Sequence, residues 1–156
     1  MSNILVEKDI VIARPIHVVR AQFADMRHHE SNRVHSTLHV TNVRPQAGGG
    51  CLFTGRRRVL GIEQEDEIQV TPHSDGHVTL RSIAGSNEGL VITQIFQAED
   101  PDRTRVKTFV DLPLRGALRW LKPLLQLGVE RDVILALQED RADLEQGHYA
   151  PRPAAA

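Results

Sequence analysis

Four of the chain's eight histidines fall between residues 28 and 39, at His28, His29, His35 and His39. Imidazole titrates near neutral pH and is the commonest metal-ligating side chain, so His28, His29, Glu30 and His35 form a candidate acid/base or metal-binding group. Their spacing matches no established metal signature, and His-His-Glu at a helix end equally suits an exposed cap, where a cationic imidazole complements the helix dipole. The reading adopted is therefore no metal and no organic cofactor, with His35 as a cavity-facing proton-transfer or hydrogen-bonding residue. His73 and His77 flank Ser74-Asp75-Gly76 and read as exposed turn histidines.

A second candidate group lies on a hairpin turning at Leu60-Gly61. Alternation puts Ile62, Gln64, Asp66, Ile68 and Val70 on one face and Glu63, Glu65 and Glu67 on the other. The first face is the apolar one, so Gln64 and Asp66 point inward, and a carboxylate facing an enclosed space needs a partner or a shifted pKa. Pairing about the turn sets Arg57 across from Gln64 and diagonal to Asp66, which makes Asp66, Arg57 and His35 the catalytic candidates. The competing reading is a wet sheet rim with both charges solvated.

Further along, Gln94 and Phe96 share a row with Leu90 and Ile92, and Thr108 shares one with Val106 and Val110. Isolated polar groups in an apolar wall are the usual composition of a small-molecule pocket, so Gln64, Gln94, Phe96, Thr108, Leu121 and Leu125 are the ligand-binding candidates. Each of them also has a plain packing role available. Cys51 has no helix N-terminus beside it and reads as structural, while Gly48-Gly49-Gly50 lacks the Lys-Ser/Thr pair of a phosphate loop.

These side chains need elements to hold them. Ile4, Val6, Ile10 and Ile12 alternate as a half-buried strand, and Arg14-Pro15 ends it. Ile16, Val19, Phe23 and Met26 then recur at helical spacing, so a short helix or helix pair runs to about Glu30. Strand patterns follow from Leu38 to Pro45, Cys51 to Leu60, Ile62 to Thr71, Val78 to Ile83, Leu90 to Ala98 and Thr104 to Leu112, each bounded by turn residues. After Pro113 the period becomes helical, with Leu114, Leu118, Leu121, Leu125, Val133, Leu137 and Leu144 on one face of a helix of roughly thirty residues that Pro123 and Gly128 kink. The expected architecture is α+β, a curved antiparallel sheet of about seven strands wrapped around the C-terminal helix.

Composition bounds the rest. A chain of 156 residues with 40% hydrophobic residues and a net charge of -1 fits one globular domain, placed at 1-147, with a flexible tail at 148-156 that includes Tyr149. Near-zero charge argues against nucleic-acid binding, and Arg56-Arg57-Arg58 is the only basic cluster. The N-terminus lacks a signal-peptide pattern and no run is long enough for a membrane span, so a cytoplasmic protein is expected.

The chain resembles the START-like, or SRPBCC, superfamily of polyketide cyclase/dehydrase and lipid-transport type. The resemblance rests on the opening strand with Ala13-Arg14-Pro15-Ile16-His17-Val18-Val19, on Thr93-Gln94-Ile95-Phe96, on Arg103-Thr104-Arg105-Val106 and on Glu139-Asp140-Arg141-Ala142-Asp143-Leu144. It implies a helix-grip fold with a cavity between sheet and long helix that binds a hydrophobic or aromatic small molecule, in a carrier or in a cyclase/dehydratase-type enzyme. The chain departs from the aromatic-rich pocket of polyketide aromatases, having one Trp and one Tyr. The alternative is a protein-interaction or assembly factor without small-molecule chemistry, and a homodimer stays open.

Overall fold

The computed structural model describes residues 2–151, and its elements follow the expected order. Strand β1 (Ser2–Ile12) leads to two short helices, α1 (Ile16–Ala24) and α2 (Met26–Asn32). Six strands come next: β2 (His39–Pro45), β3 (Cys51–Val59), β4 (Ile62–Pro72), β5 (Val78–Gly85), β6 (Val91–Asp100) and β7 (Arg103–Leu114). A 3₁₀ segment (Gly116–Leu121) then opens into α3 (Lys122–Glu145). All strands join one antiparallel sheet in the order β1-β7-β6-β5-β4-β3-β2. Because β1 and β2 occupy opposite edges, α1 and α2 are the connection that carries the chain across the sheet.

Local chemistry explains the boundaries. Pro15 is extended at the N-cap of α1, where its missing N–H costs nothing, and Val18, Val19 and Phe23 turn inward over the sheet. The side chain of Asp25 caps α2 by accepting from the His28 amide at 3.0 Å. The closing helix differs from expectation. Pro123 does not kink it but sits in the first turn of α3, after the separate 3₁₀ segment, so the proline marks a start.

The core divides along α3. Its later turns, through Leu137 and Leu144, cover a cluster that includes Phe23, Phe53, Val70, Phe96 and Val106, whereas Leu125 and Val129 pack on a smaller cluster of β1 and β7 around Ile4 and Leu112. Tyr149 is a correction to the expected tail: it is buried, with its ring 4.7 Å from that of His28 and its hydroxyl donating to Asp25 Oδ2 at 3.4 Å. Residues 152–156 of that tail lie outside the described residues. Among the described residues no helix is long and apolar enough to cross a membrane, which leaves β-barrels unaddressed.

Candidate functional site

A cavity of about 170 Å³ lies between the sheet and α3. Leu80, Leu90, Ile92, Val110 and Leu112 form its sheet wall, and Val129, Val133, Ala136 and Leu137 form its helix wall. Into this apolar lining project a few polar side chains: Gln94 and Thr108 from the sheet, together with His35, Thr37, Arg57, Asp132 and Asp140. Gln94 and Thr108 face each other across β6 and β7. Gln94 Oε1 and Thr108 Oγ1 are both buried without a protein hydrogen-bond partner, which leaves them available to a bound molecule. Arg57 also lines an outer groove with Ser36, Arg56 and Arg58, so it stands at the mouth. Among the described residues no ion pair engages Arg57, in contrast to Arg56, which pairs with Glu65 at 2.7 Å.

The His35 end opens onto a buried polar network that spans three elements. From α3, Asp140 accepts from His29 Nε2 at 3.1 Å and from Gln22 Nε2 at 3.0 Å, while His35 Nε2 lies 3.7 Å from the same oxygen. One turn on, Asp143 Oδ2 lies 2.7 Å from His28 Nε2 and accepts from Gln22 Nε2 at 3.0 Å. Gln22 therefore bridges the two carboxylates. His29 Nδ1 bonds the Asp25 carbonyl at 2.8 Å, and with Nε2 directed at Asp140 both ring nitrogens have acceptors.

Electrostatics reinforce that pairing. Burial, the largest single influence on His29, favours its neutral form, but the hydrogen bond and charge of Asp140, the Asp25 carbonyl and the charge of Asp143 together hold its pKa above the ordinary value. For Asp140 burial likewise acts first and upward. The charges of His35 and His29 and the hydrogen bonds from His29 and Gln22 outweigh it, so its carboxyl is held below the ordinary value. Buried charges are expensive unless paired, and here the pairing is built into the fold.

The sequence candidates fare unevenly in geometry. Arg57, His35, Gln94 and Thr108 line the cavity. Arg57 does stand opposite Gln64, as the hairpin register requires, but no ion pair joins it to Asp66 among the described residues. Asp66 is buried and faces inward, yet its oxygens are already taken, by Ser82 Oγ at 3.0 Å and by the amide and side chain of Asn87, each at 2.7 Å. This wrapping depends on Gly85, whose positive φ of 116° and close approach to Asp66 leave no room for a Cβ. Gln64 is part of the same loop contact, accepting from Asn87 Nδ2 at 3.0 Å. Both residues fasten the turn after β5.

Three further candidates pack elsewhere. Phe96 stands edge-on to Phe23 with ring centroids 5.4 Å apart. Leu125 packs on the β1/β7 cluster, and Leu121 is exposed in the 3₁₀ segment. Gln22, Asp140 and Asp143 were not singled out from sequence. A signal for Asp140 exists, because Val133, Leu137, Asp140 and Leu144 follow at spacings of four, three and four, which sets a carboxylate in the inward stripe.

An antiparallel sheet with one long helix laid across it is an α+β fold of two layers. Comparison with solved structures identifies it as the START-like, helix-grip fold. The chain is similar to the Zhui aromatase/cyclase from Streptomyces sp. R1128, with a TM-score of 0.79 at 15% identity, covering 96% of this chain and 98% of that one. It is similar to a START superfamily protein from Mycobacterium smegmatis, with a TM-score of 0.73 at 13% identity over 91% and 97% of the two chains. The di-domain aromatase/cyclase StfQ of the steffimycin biosynthetic pathway matches with a TM-score of 0.69 at 11% identity, over 92% of this chain and 46% of that one. No protein-family model matches the chain, and no curated protein does.

Proposed function

We propose that the protein binds a small, largely apolar molecule of one or two rings with a hydroxyl-bearing end, in the cavity between the sheet and α3. The observation that carries this reading is the pair of orphaned polar atoms, Gln94 Oε1 and Thr108 Oγ1, held side by side in an otherwise apolar wall. Polar groups buried without partners cost stability, and a wall that keeps two of them is arranged for something other than packing. Size sets the ligand class: about 170 Å³ is close to the roughly 150 Å³ at which an apolar cavity accepts benzene. An extended multi-ring chain exceeds that volume.

The same wall supports proton-transfer chemistry of the cyclase/dehydratase type, a reading to which the similarity to named aromatase/cyclases lends weight. In it, His35 takes a proton from a carbon beside a carbonyl, and the Arg57 guanidinium receives the enolate oxygen that results. Glu139, 3.7 Å from Nδ1, stands behind the imidazole, so Nε2 is the nitrogen that exchanges the proton. Returning the proton to a departing hydroxyl releases water and completes a dehydration. Asp66 has no part in this step, because its oxygens hold the β5 turn.

The test is a binding titration with 1-naphthol, 2-naphthoate and naphthalene on the wild type, Ala136→Phe and Arg57→Met. Ala136 lines the helix wall, so a phenyl ring there fills the cavity. All three probes are expected to bind the wild type, Ala136→Phe to abolish binding, and Arg57→Met to weaken naphthoate about tenfold more than naphthalene. Binding that ignores Ala136→Phe would overturn the cavity assignment. A docking role keeps one observation in its favour: Trp120, 86% exposed, stands among exposed Leu118, Leu121, Leu124 and Leu127. A homodimer through that patch predicts a concentration-dependent mass in sedimentation that Trp120→Glu abolishes.

A further inference from the structure

We propose that His29, His35 and Asp140 together bind a divalent transition-metal ion, such as Zn²⁺ or Fe²⁺, at the inner end of the cavity. One ligand atom from each residue lies within 4.8 Å of the other two. Asp140 Oδ1 is 3.1 Å from His29 Nε2 and 3.7 Å from His35 Nε2. Ligands about 2.1 Å from a shared ion stand about 3.0 Å apart at an octahedral edge and about 3.4 Å apart at a tetrahedral one, so the His29 separation falls within that range and the His35 separation exceeds it by about 0.3 Å. Two imidazoles and one carboxylate, with positions left open, are the donor set that suits such ions.

What separates this cluster from an ordinary buried ion pair is that each ligand has its own backing. His29 turns Nε2 inward because Nδ1 is bonded to the Asp25 carbonyl at 2.8 Å. Behind His35, Nδ1 lies 3.7 Å from Glu139 Oε1, and both atoms are buried with no other partner. The Glu139 carboxylate is itself fixed, since its other oxygen accepts from the Ser36 amide at 2.9 Å. Asp140 is steadied by Gln22 Nε2 at 3.0 Å. A carbonyl, a carboxylate and an amide placed behind the three ligands are the supports that orient metal ligands and raise imidazole basicity.

The open side of the cluster also suits a metal. His29, His35 and Asp140 border a small void of about 50 Å³, space for one or two water-sized ligands at roughly 30 Å³ each. Gln94, Leu38 and Leu80 line both this void and the larger cavity, so an ion here would face a bound molecule's oxygen. An outer groove touching His29 and His35 gives the ion a route from solvent. The ion and proton-transfer states share His35, which is a ligand in one and free to exchange a proton in the other. The inference itself needs only the cluster and stands whether or not the cavity takes an aromatic ligand.

The test uses untagged, chelator-stripped full-length protein titrated with Zn²⁺ by calorimetry and with Co²⁺ by visible absorption. The stacked surface pair His73 and His77, 4.0 Å apart, is the obvious competing site, so the variants are His35→Ala, Asp140→Asn and the control His73→Ala/His77→Ala. Expected are one ion per chain, Co²⁺ bands unlike those of the aquo ion, a Tm raised by Zn²⁺, and affinity about 100-fold weaker in His35→Ala but unchanged in the control. His35 sits at the edge of the network, so its variant keeps the experiment decisive if Asp140→Asn fails to fold. Absence of stoichiometric binding, or binding that survives His35→Ala, would overturn the proposal and leave the cluster a structural polar network.

Discussion

Replacing Thr108 with Val separates what this cavity wall does for folding from what it does for binding. The side chain is 4% exposed, and its hydroxyl finds no protein partner across from Gln94 or from Lys8 on β1. An unpaired buried hydroxyl costs about 1–3 kcal/mol, and Val keeps the branched shape while exchanging that hydroxyl for a methyl. Taking the lower part of that range, Thr108→Val stabilises the ligand-free protein by about 1 kcal/mol, which raises Tm by about 2–4 °C at this chain length. Gln94→Leu acts in the same direction. Since the two side chains are neighbours, the double variant departs from the sum of the singles. The same change removes a hydrogen bond to a ligand oxygen, so 1-naphthol binding weakens about tenfold while naphthalene binding holds. Thermal unfolding and titration of the same preparations read both effects. A Thr108→Val protein less stable than wild type by 1 kcal/mol or more would mean that the hydroxyl is satisfied within the fold, and the argument for a hydroxyl-bearing ligand would fail.

Asp66→Ala strips the β5 turn of three acceptor contacts and is expected to cost about 2–3 kcal/mol in urea unfolding while naphthol affinity stays within twofold; a selective loss of binding would return Asp66 to the site. Tyr149→Ala removes a ring packed on His28 and is expected to cost about 3 kcal/mol, whereas a neutral result would show that the segment after α3 does not contribute to the fold. The metal-free protein carries a pH signature through His29, which faces Asp25 and His28 on its own side of the network, His35 beside it, and Asp140 and Asp143 on α3. A histidine held above its ordinary 6.5 contributes stability that is complete below that value and fades as pH rises through the folded pKa. An aspartate held below its ordinary 3.8 contributes stability present above that value and lost as pH falls through the folded pKa. The stability difference between wild type and a His29→Gln/Asp140→Asn double variant should therefore be greatest from about pH 4 to 6.5 and decline toward alkaline pH, and a difference flat from pH 5 to 9 would contradict the pairing.

The layout of the fold was legible because its signals are local: alternation along β1 to β7, Pro15 before a helical period, and turns between strands that carry glycine or aspartate. Hairpin geometry went further and set Arg57 opposite Gln64, because a two-residue turn fixes every pair along its strands. Alternation identified that Asp66 points inward, but not that the loop after β5 wraps it, since that contact depends on the backbone of Asn87 and the positive φ of Gly85. Tyr149 was lost among prolines and alanines. A single aromatic residue past the end of a helix has no periodicity to reveal that it folds back against α2.

The histidine cluster shows the same limit at the site itself. Between His29 and His35 the spacing fits no metal motif, because the third member, Asp140, comes from the other end of the chain and arrives only when α3 lies across the sheet. That packing divides α3 by chemistry: its early turns present Leu125 and Val129 to β1 and β7, while its later turns carry Glu139, Asp140 and Asp143 over α2, which holds His28 and His29. The cavity lies where the two regimes meet. An apolar molecule held against Val133 and Leu137, as proposed, would have its oxygen set by Gln94 and Thr108 with the His29, His35 and Asp140 cluster beside it, an arrangement that neither end of the helix could provide alone.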